Sequence, residues 1–114
     1  MKIQDENYEV TYDQENTTVI FQGTLRLRGV TEYEPVAQLL SDVAAQSPET
    51  ITLDLRSLHF LNSSGINILF RFVINMREQA TTAVVVRGTS EIPWQTKSLK
   101  NLQRLMPSLQ LEFD

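Results

Sequence analysis

Between Ile51 and Gly88 the apolar pattern changes period twice. In "ITLDLRSL" the apolar residues Ile51, Leu53 and Leu55 alternate with Thr52, Asp54 and Arg56, the period of two that a strand imposes. From Ser64 to Gln79 the residues Ile66, Leu69, Phe70, Val73, Ile74 and Met76 recur at three- and four-residue steps, with Ile68 and Phe72 beside them, which is helical spacing. "TTAVVVRG" then returns to a short β-branched run closed by Gly88, as an interior strand does. A helix of roughly four turns between two strands is too long for a hairpin. It is a crossover, so the two strands run parallel in one sheet with the helix packed on it.

The remaining segments extend the same plan. "YEVTYDQENTTVIFQGTLRL" reads as two strands around a turn at Asp13–Asn16, with Val19 and Phe21 alternating against Ile20 and Gln22. "EYEPVAQLLSDVAAQ" sets Val36, Leu39, Leu40 and Val43 at helical spacing, with Thr31 predicted as its cap, Pro35 in the first turn and Ser47-Pro48 as its end. "IPWQTKSLKNLQRLM" predicts a helix from near Pro93 that turns Leu99, Leu102 and Leu105 or Met106 inward, and "LQLEF" a closing strand. The order β β α β α β α β predicts an α/β fold. Its sheet is mixed and mostly parallel, of four to five strands, with an antiparallel N-terminal hairpin and helices packed against it. At 114 residues the chain is one domain spanning 1–114. The helix from Ser64 is apolar over an arc of roughly 240°, which leaves Asn67, Arg71, Asn75 and Glu78 wet and requires cover on more than one side.

Composition narrows the function classes. With 41% hydrophobic and 21% charged residues the chain should fold unaided. It has no cysteine, which excludes disulfides, thiolate ligands and a Cys nucleophile and fits a reducing compartment. One histidine and scattered carboxylates make no metal cluster, and no cofactor is predicted. "MKIQDENYEV" places acids where a secretory signal would be basic and then apolar, and no run reaches the ~18 apolar residues of a membrane span, so the expectation is a cytoplasmic protein without membrane insertion. A net charge of −4 disfavours nucleic acid. That charge is uneven: residues 1–50 carry nine acids against Lys2, Arg26 and Arg28, a net of −6, and residues 51–114 carry five acids against seven bases, a net of +2. A bipolar surface steers a protein partner, although chance scatter gives the same numbers.

The chemistry concentrates at "LNSSGI", Leu61–Ile66. Asn, Ser and Gly just ahead of a helix are cap residues, whose side-chain oxygens accept from free amides of the first turn. The same amides and the helix dipole favour a negative group, so a phosphate on Ser63 would sit where the backbone supports it. A hydrolase triad of Asp54, His59 and Ser63 would need convergence and an oxyanion hole, and there is no Gly-x-Ser-x-Gly elbow. "ITLDL" lacks the glycine-rich loop that would cradle a nucleotide. Trp94 reads as a core or flap residue, with an aromatic anchor as the alternative. Ile68 and Phe72, one turn apart, either pack on a neighbouring helix or join a docking face.

"ITLDLRSLHFLNSSGINILFRFV" resembles the STAS domain, the fold of bacterial anti-sigma factor antagonists, in which an apolar strand runs through Asp-Ser-Ser-Gly or Asp-Ser-Thr-Gly into an apolar helix. The likeness extends from about Val10 to Phe113. It implies a non-catalytic binding switch: the unphosphorylated antagonist docks on a serine kinase that doubles as an anti-sigma factor, so regulating transcription, phosphorylation of the first serine ends docking, and a PP2C-type phosphatase resets it. By position that serine is Ser63, with Ser64 and Gly65 completing the motif; the candidate partner-binding set is these three with Asn62 and Arg26, and with Ile68 and Phe72 from the edge of the helix's apolar arc. Two positions depart from the pattern. Asn62 stands for the tetrad's Asp, and Arg26 follows Gly23 and Leu25 in "GTLRL" where the family has Gly-x-Leu-Asp. Arg26 can pair with a phosphate; the lost acids equally fit a chain that has lost its kinase. The resemblance also admits an alternative, a STAS subunit of a larger assembly, such as a stress-sensing complex or a lipid-transport ABC system, with no phosphoswitch.

Overall fold

The structure is a computed structural model that describes residues 1–79 and 81–114. Its strands are β1 (Lys2–Gln4), β2 (Tyr8–Asp13), β3 (Thr18–Leu25), β4 (Thr50–Leu61), β5 (Ala83–Gly88) and β6 (Gln110–Phe113). Its helices are α1 (Gly29–Ala45), α2 (Ser63–Gln79) and α3 (Pro93–Leu105). The Asp13–Asn16 turn is held by its own side chains, Asn16 Nδ2 donating to Asp13 Oδ2 at 2.8 Å, and β2 and β3 pair antiparallel on either side of it. The sheet has six strands, against the four to five expected. The added strand, β1, has three residues with Ile3 as its one large apolar side chain, too short to show a period, and it forms by pairing Ile3 with Val10 of β2.

Strand order in the sheet is the order in the chain, β1 to β6; β1–β3 alternate in direction and β3–β6 are parallel. Each crossover therefore moves one strand along in the same sense. Right-handed connections then lay all three helices on one face, where α1 packs on α2 and α2 on α3. The alternation in β4 sorts accordingly: Ile51, Leu53 and Leu55 are fully buried, whereas Thr52, Asp54 and Arg56 stand on the open face.

α1 begins earlier than its sequence suggests. Gly29 adopts φ +63°, turning the chain into the helix, and Glu32 Oε1 accepts from the Arg28 N–H at 2.8 Å. Arg28 is thus the N-cap, Thr31 lies inside the helix, and Pro35 falls in the second turn. Gly23 also has positive φ, +90°, and a Cβ there would run into the Asn7 carbonyl oxygen, which accepts from the Thr24 N–H at 2.8 Å. Only glycine lets β3 pass this close to the β1–β2 connection.

On the open face Asp54, Arg87 and Glu112 lie opposite one another across β4, β5 and β6. Arg56 grips Asp54 from its own strand, Nε to Oδ1 at 3.0 Å and Nη2 to Oδ2 at 2.8 Å. Burial alone would raise the Asp54 carboxyl, but the Arg56 bonds and the charges of Arg56 and Arg87 outweigh it and hold the group below its ordinary value. A depressed carboxyl contributes stability above its unfolded value, near 3.8, and loses it as the pH falls through the lower folded value. Asp54→Asn is therefore expected to cost about 1 kcal/mol at neutral pH, the guanidinium being partly solvated. Urea unfolding at pH 7 and pH 3 checks this, with the gap between variant and wild type closing at the lower pH.

Candidate functional site

The site forms where β4 ends and α2 begins. Four N–H groups at a helix start lack intrahelical partners. Here the Asn62 N–H donates to the Leu25 carbonyl at 3.2 Å, and the Gly65 N–H donates to Asn62 Oδ1 at 3.0 Å. Asn62 is thus the cap its residue type suggested. The N–H groups of Ser63 and Ser64 complete the four and point along the positive end of the α2 dipole.

Asn62 does more than cap. Its Nδ2 donates to the Leu27 carbonyl at 2.8 Å, and its Oδ1 also accepts from the Tyr33 hydroxyl at 2.7 Å. One side chain therefore joins the segment after β3, the first turns of α1 and the start of α2. Tyr33 is 1% exposed, and burial raises its phenol above the ordinary value, so it stays a neutral donor. Gly65 is buried beneath the turn, where a Cβ would meet the Leu61 side chain and come within 2.7 Å of the Tyr33 hydroxyl. Glycine is thus the residue that lets the start of α2 close on this network.

Of the candidate residues, Ser63 is exposed, Ser64 and Asn62 are half-buried, and Gly65 is buried. Arg26 is brought to the same rim, since Leu25 and Leu27 on either side of it are both bonded to Asn62. Its guanidinium lies over the ring of Phe60, 4.7 Å from the centroid, a cation–π contact on a ring 38% exposed. Ile68 and Phe72 do not project as a docking face. They are 5% and 6% exposed, packed between α1 and α2; both line the floor of a groove edged by Val30, Glu34 and Arg71, and Phe72 also lines a second groove with Ser41 and Met76.

Other sequence candidates separate. Asp54 is bound to Arg56 on the open face, so it does not orient His59, and no triad forms. Among the described residues no group of three or more His, Cys, Asp or Glu side chains could hold a metal ion. No described helix is long and apolar enough to cross a membrane. Trp94 is half-buried and donates from Nε1 to the Leu58 carbonyl at 3.2 Å, which makes it a structural residue.

Two residues that matter were not read from the sequence. Tyr33 is one; it shares a helical stripe with Val36, Leu40 and Val43 but sits among acids. Gln95 is the other. β4 pairs with β5 only as far as Asp54, and its register against β3 shifts after Ile20 and again after Gly23, so the later carbonyls of β4 lack partners on the β5 side. Gln95, fully buried, donates from Nε2 to Leu55 O at 2.6 Å and Leu58 O at 3.0 Å, while its Oε1 accepts from the Thr89 N–H at 2.9 Å. It completes the strand that delivers the site.

Residues 11–107, which hold this strand, capped serine turn and apolar helix, match the STAS domain family. The chain belongs to the STAS domain family. Comparison with curated proteins gave no match. Among solved structures, the STAS domain is similar to a chain in the crystal structure of the diguanylate cyclase SiaD in complex with its activator SiaC from Pseudomonas aeruginosa, with a TM-score of 0.75 and 14% identity over 100% of this chain and 99% of that one. It is similar to SiaC of Pseudomonas aeruginosa, with a TM-score of 0.70 and 16% identity over 99% and 93%. An anti-sigma factor antagonist from Mycobacterium paratuberculosis gives a TM-score of 0.61 and 20% identity over 96% and 82%. At these identities what is shared is the fold.

Proposed function

We propose that this STAS domain is a non-catalytic regulatory module that docks on a protein partner through the rim at the start of α2. The partner is a serine kinase that doubles as an anti-sigma factor, Ser63 is the phosphorylated residue, and a PP2C-type phosphatase resets it. The setting is the bacterial cytoplasm. The observation that carries this reading is an exposed Ser63 at the start of α2, on a turn fixed by Asn62, where the free amides of a helix's first turn favour a negative group. Asn62, Ser64, Gly65 and Arg26 shape the contact, and Ile68 and Phe72 contribute from the groove floor.

The test is binding to candidate kinases with and without ATP, together with mass spectrometry of the protein from its native cell. Ser63→Asp is expected to weaken binding by about tenfold or more, roughly 1.4 kcal/mol. Ser63→Ala should bind but resist release by ATP. A Ser63→Asp protein that binds as tightly as wild type argues against a charge-based switch.

A second reading keeps the docking rim and drops the sigma factor. SiaC, which shares the fold, is described as the activator of an enzyme it is bound to. On this reading the STAS domain is a stable subunit or activator in a larger assembly, a stress-sensing complex or a lipid-transport ABC system included, and Ser63 need not be modified. Capture of an ABC ATPase or another enzyme, in place of a kinase or phosphatase, selects it.

A further inference from the structure

We propose that copies of this chain associate head to tail, β6 of one copy pairing with β1 of the next, so that the sheet and the helix layer both continue across the junction. Sequential strand order leaves β1 and β6 as free edges at opposite ends of the sheet. β1 is antiparallel to β2, which is antiparallel to β3, so β1 and β6 run in the same direction. A copy moved along the sheet by its own width therefore offers a parallel edge with its helices on the matching face.

Charge selects this arrangement. α1 carries Glu32, Glu34 and Asp42 and no base, whereas α3 carries Lys97, Lys100 and Arg104 and no acid; of these exposed charges Asp42 borders the groove beside β1, Lys100 and Arg104 border the groove beside β6, and Glu34 lies on the α2 side of α1. Because the sheet follows chain order, the acidic first half and the basic second half of the sequence become opposite ends of the molecule. Head-to-tail contact sets α3 of one copy beside α1 of the next. Joining β6 to β6 would instead face Lys100 and Arg104 with themselves, and joining β1 to β1 would do the same with Asp42.

The edges match in finer detail. On the open face the row Asp54, Arg87, Glu112 alternates in sign up to the β6 edge; beyond the junction Gln4 continues that row, and Lys2, 3.6 Å from Glu9, lies diagonally across from Glu112. On the helix side, half-buried Leu111 meets half-buried Ile3. Phe113, 36% exposed, borders a shallow groove with Pro107, Lys100 and Arg104; Met1, 54% exposed, borders one with Pro35, Leu39 and Asp42. With edge strands of three and four residues the contact is weak and concentration-dependent. The repeat would be about 29 Å, six strands at ~4.8 Å each. The Ser63 rim belongs to the middle of the sheet and stays open in every copy, so this inference stands whether or not that rim is a phosphoswitch.

Sedimentation velocity of the full chain over a wide concentration range tests it, at about 10 mM and about 1 M salt, where screening lengths are ~30 Å and ~3 Å. The expected result is a mass that rises steadily with concentration at low salt and returns to monomer at high salt. Lys100→Glu/Arg104→Glu and Gln38→Lys/Asp42→Lys, all at exposed helical positions, should each associate at least about tenfold more weakly alone, yet associate when mixed. Circular dichroism melts matching wild type establish that both variants fold. A monomer at every concentration in low salt overturns the proposal, as does association that the Lys100→Glu/Arg104→Glu variant leaves unchanged, or a closed dimer that does not grow.

Discussion

Gln95→Leu is expected to lower stability by about 3–4 kcal/mol, although leucine nearly matches glutamine in volume and leaves little cavity. The cost is polar. The Thr89 N–H and the Leu55 carbonyl lose their partner inside the protein, and a buried unsatisfied group costs ~1–3 kcal/mol. The Leu58 carbonyl keeps Trp94 as a donor, so its loss is smaller. Added apolar burial offsets part of this, but leucine cannot reach either group. For a domain of this size the shift corresponds to a drop of roughly 12–20 °C in melting temperature, measurable by circular dichroism. A Gln95→Leu protein that melts with wild type would mean that water reaches both groups. The loss should also be felt at the site, since Leu55 and Leu58 lie on the stretch of β4 that leads to Asn62.

How much of this was legible follows from which signals are periodic. The hairpin, the two crossovers after β4 and the helix read from Ser64, which begins at Ser63, are legible because a change of period over eight or more residues has few other meanings. The Asn62 cap was readable because Asn ahead of an apolar helical run has one common use. β1 could not be read, since three residues carry no period and their pairing is supplied by β2. α1 starts ahead of its expected cap, Thr31, because the sequence does not display that Gly29 turns left-handed and that Glu32 reaches back to Arg28. Ile68 and Phe72 lie on the broad apolar arc of α2, and only the packing of α1 decides that they are covered. Gln95 stands four residues before Leu99 and seven before Leu102, a polar residue on an apolar stripe. Such a residue signals a buried hydrogen-bonding task, but its partners came from register shifts in a strand some forty residues away.

Asn62→Ala is expected to cost about 2–3 kcal/mol, and Asn62→Asp about 1 kcal/mol. Alanine removes the cap, worth ~1 kcal/mol, and strips the Leu27 carbonyl of its donor. It also leaves the buried Tyr33 hydroxyl with only the longer bond to the Leu25 carbonyl, at 3.3 Å. Aspartate behaves differently. It keeps the acceptor that serves Tyr33 and Gly65 and adds a charge that the helix dipole favours by ~0.3–1 kcal/mol, yet it sets an oxygen against the Leu27 carbonyl where Nδ2 now donates at 2.8 Å. The amide is therefore matched to this frame: its two ends meet a carbonyl on one side and two donors on the other. Chemical unfolding of the three proteins side by side separates the contributions, with the order wild type, Asp, Ala. If Asn62→Asp is as stable as wild type or more so, the Leu27 bond contributes nothing. The asparagine would then have to be explained by the partner that meets this rim, since an acid at position 62 would add to the negative charge facing any phosphate on Ser63.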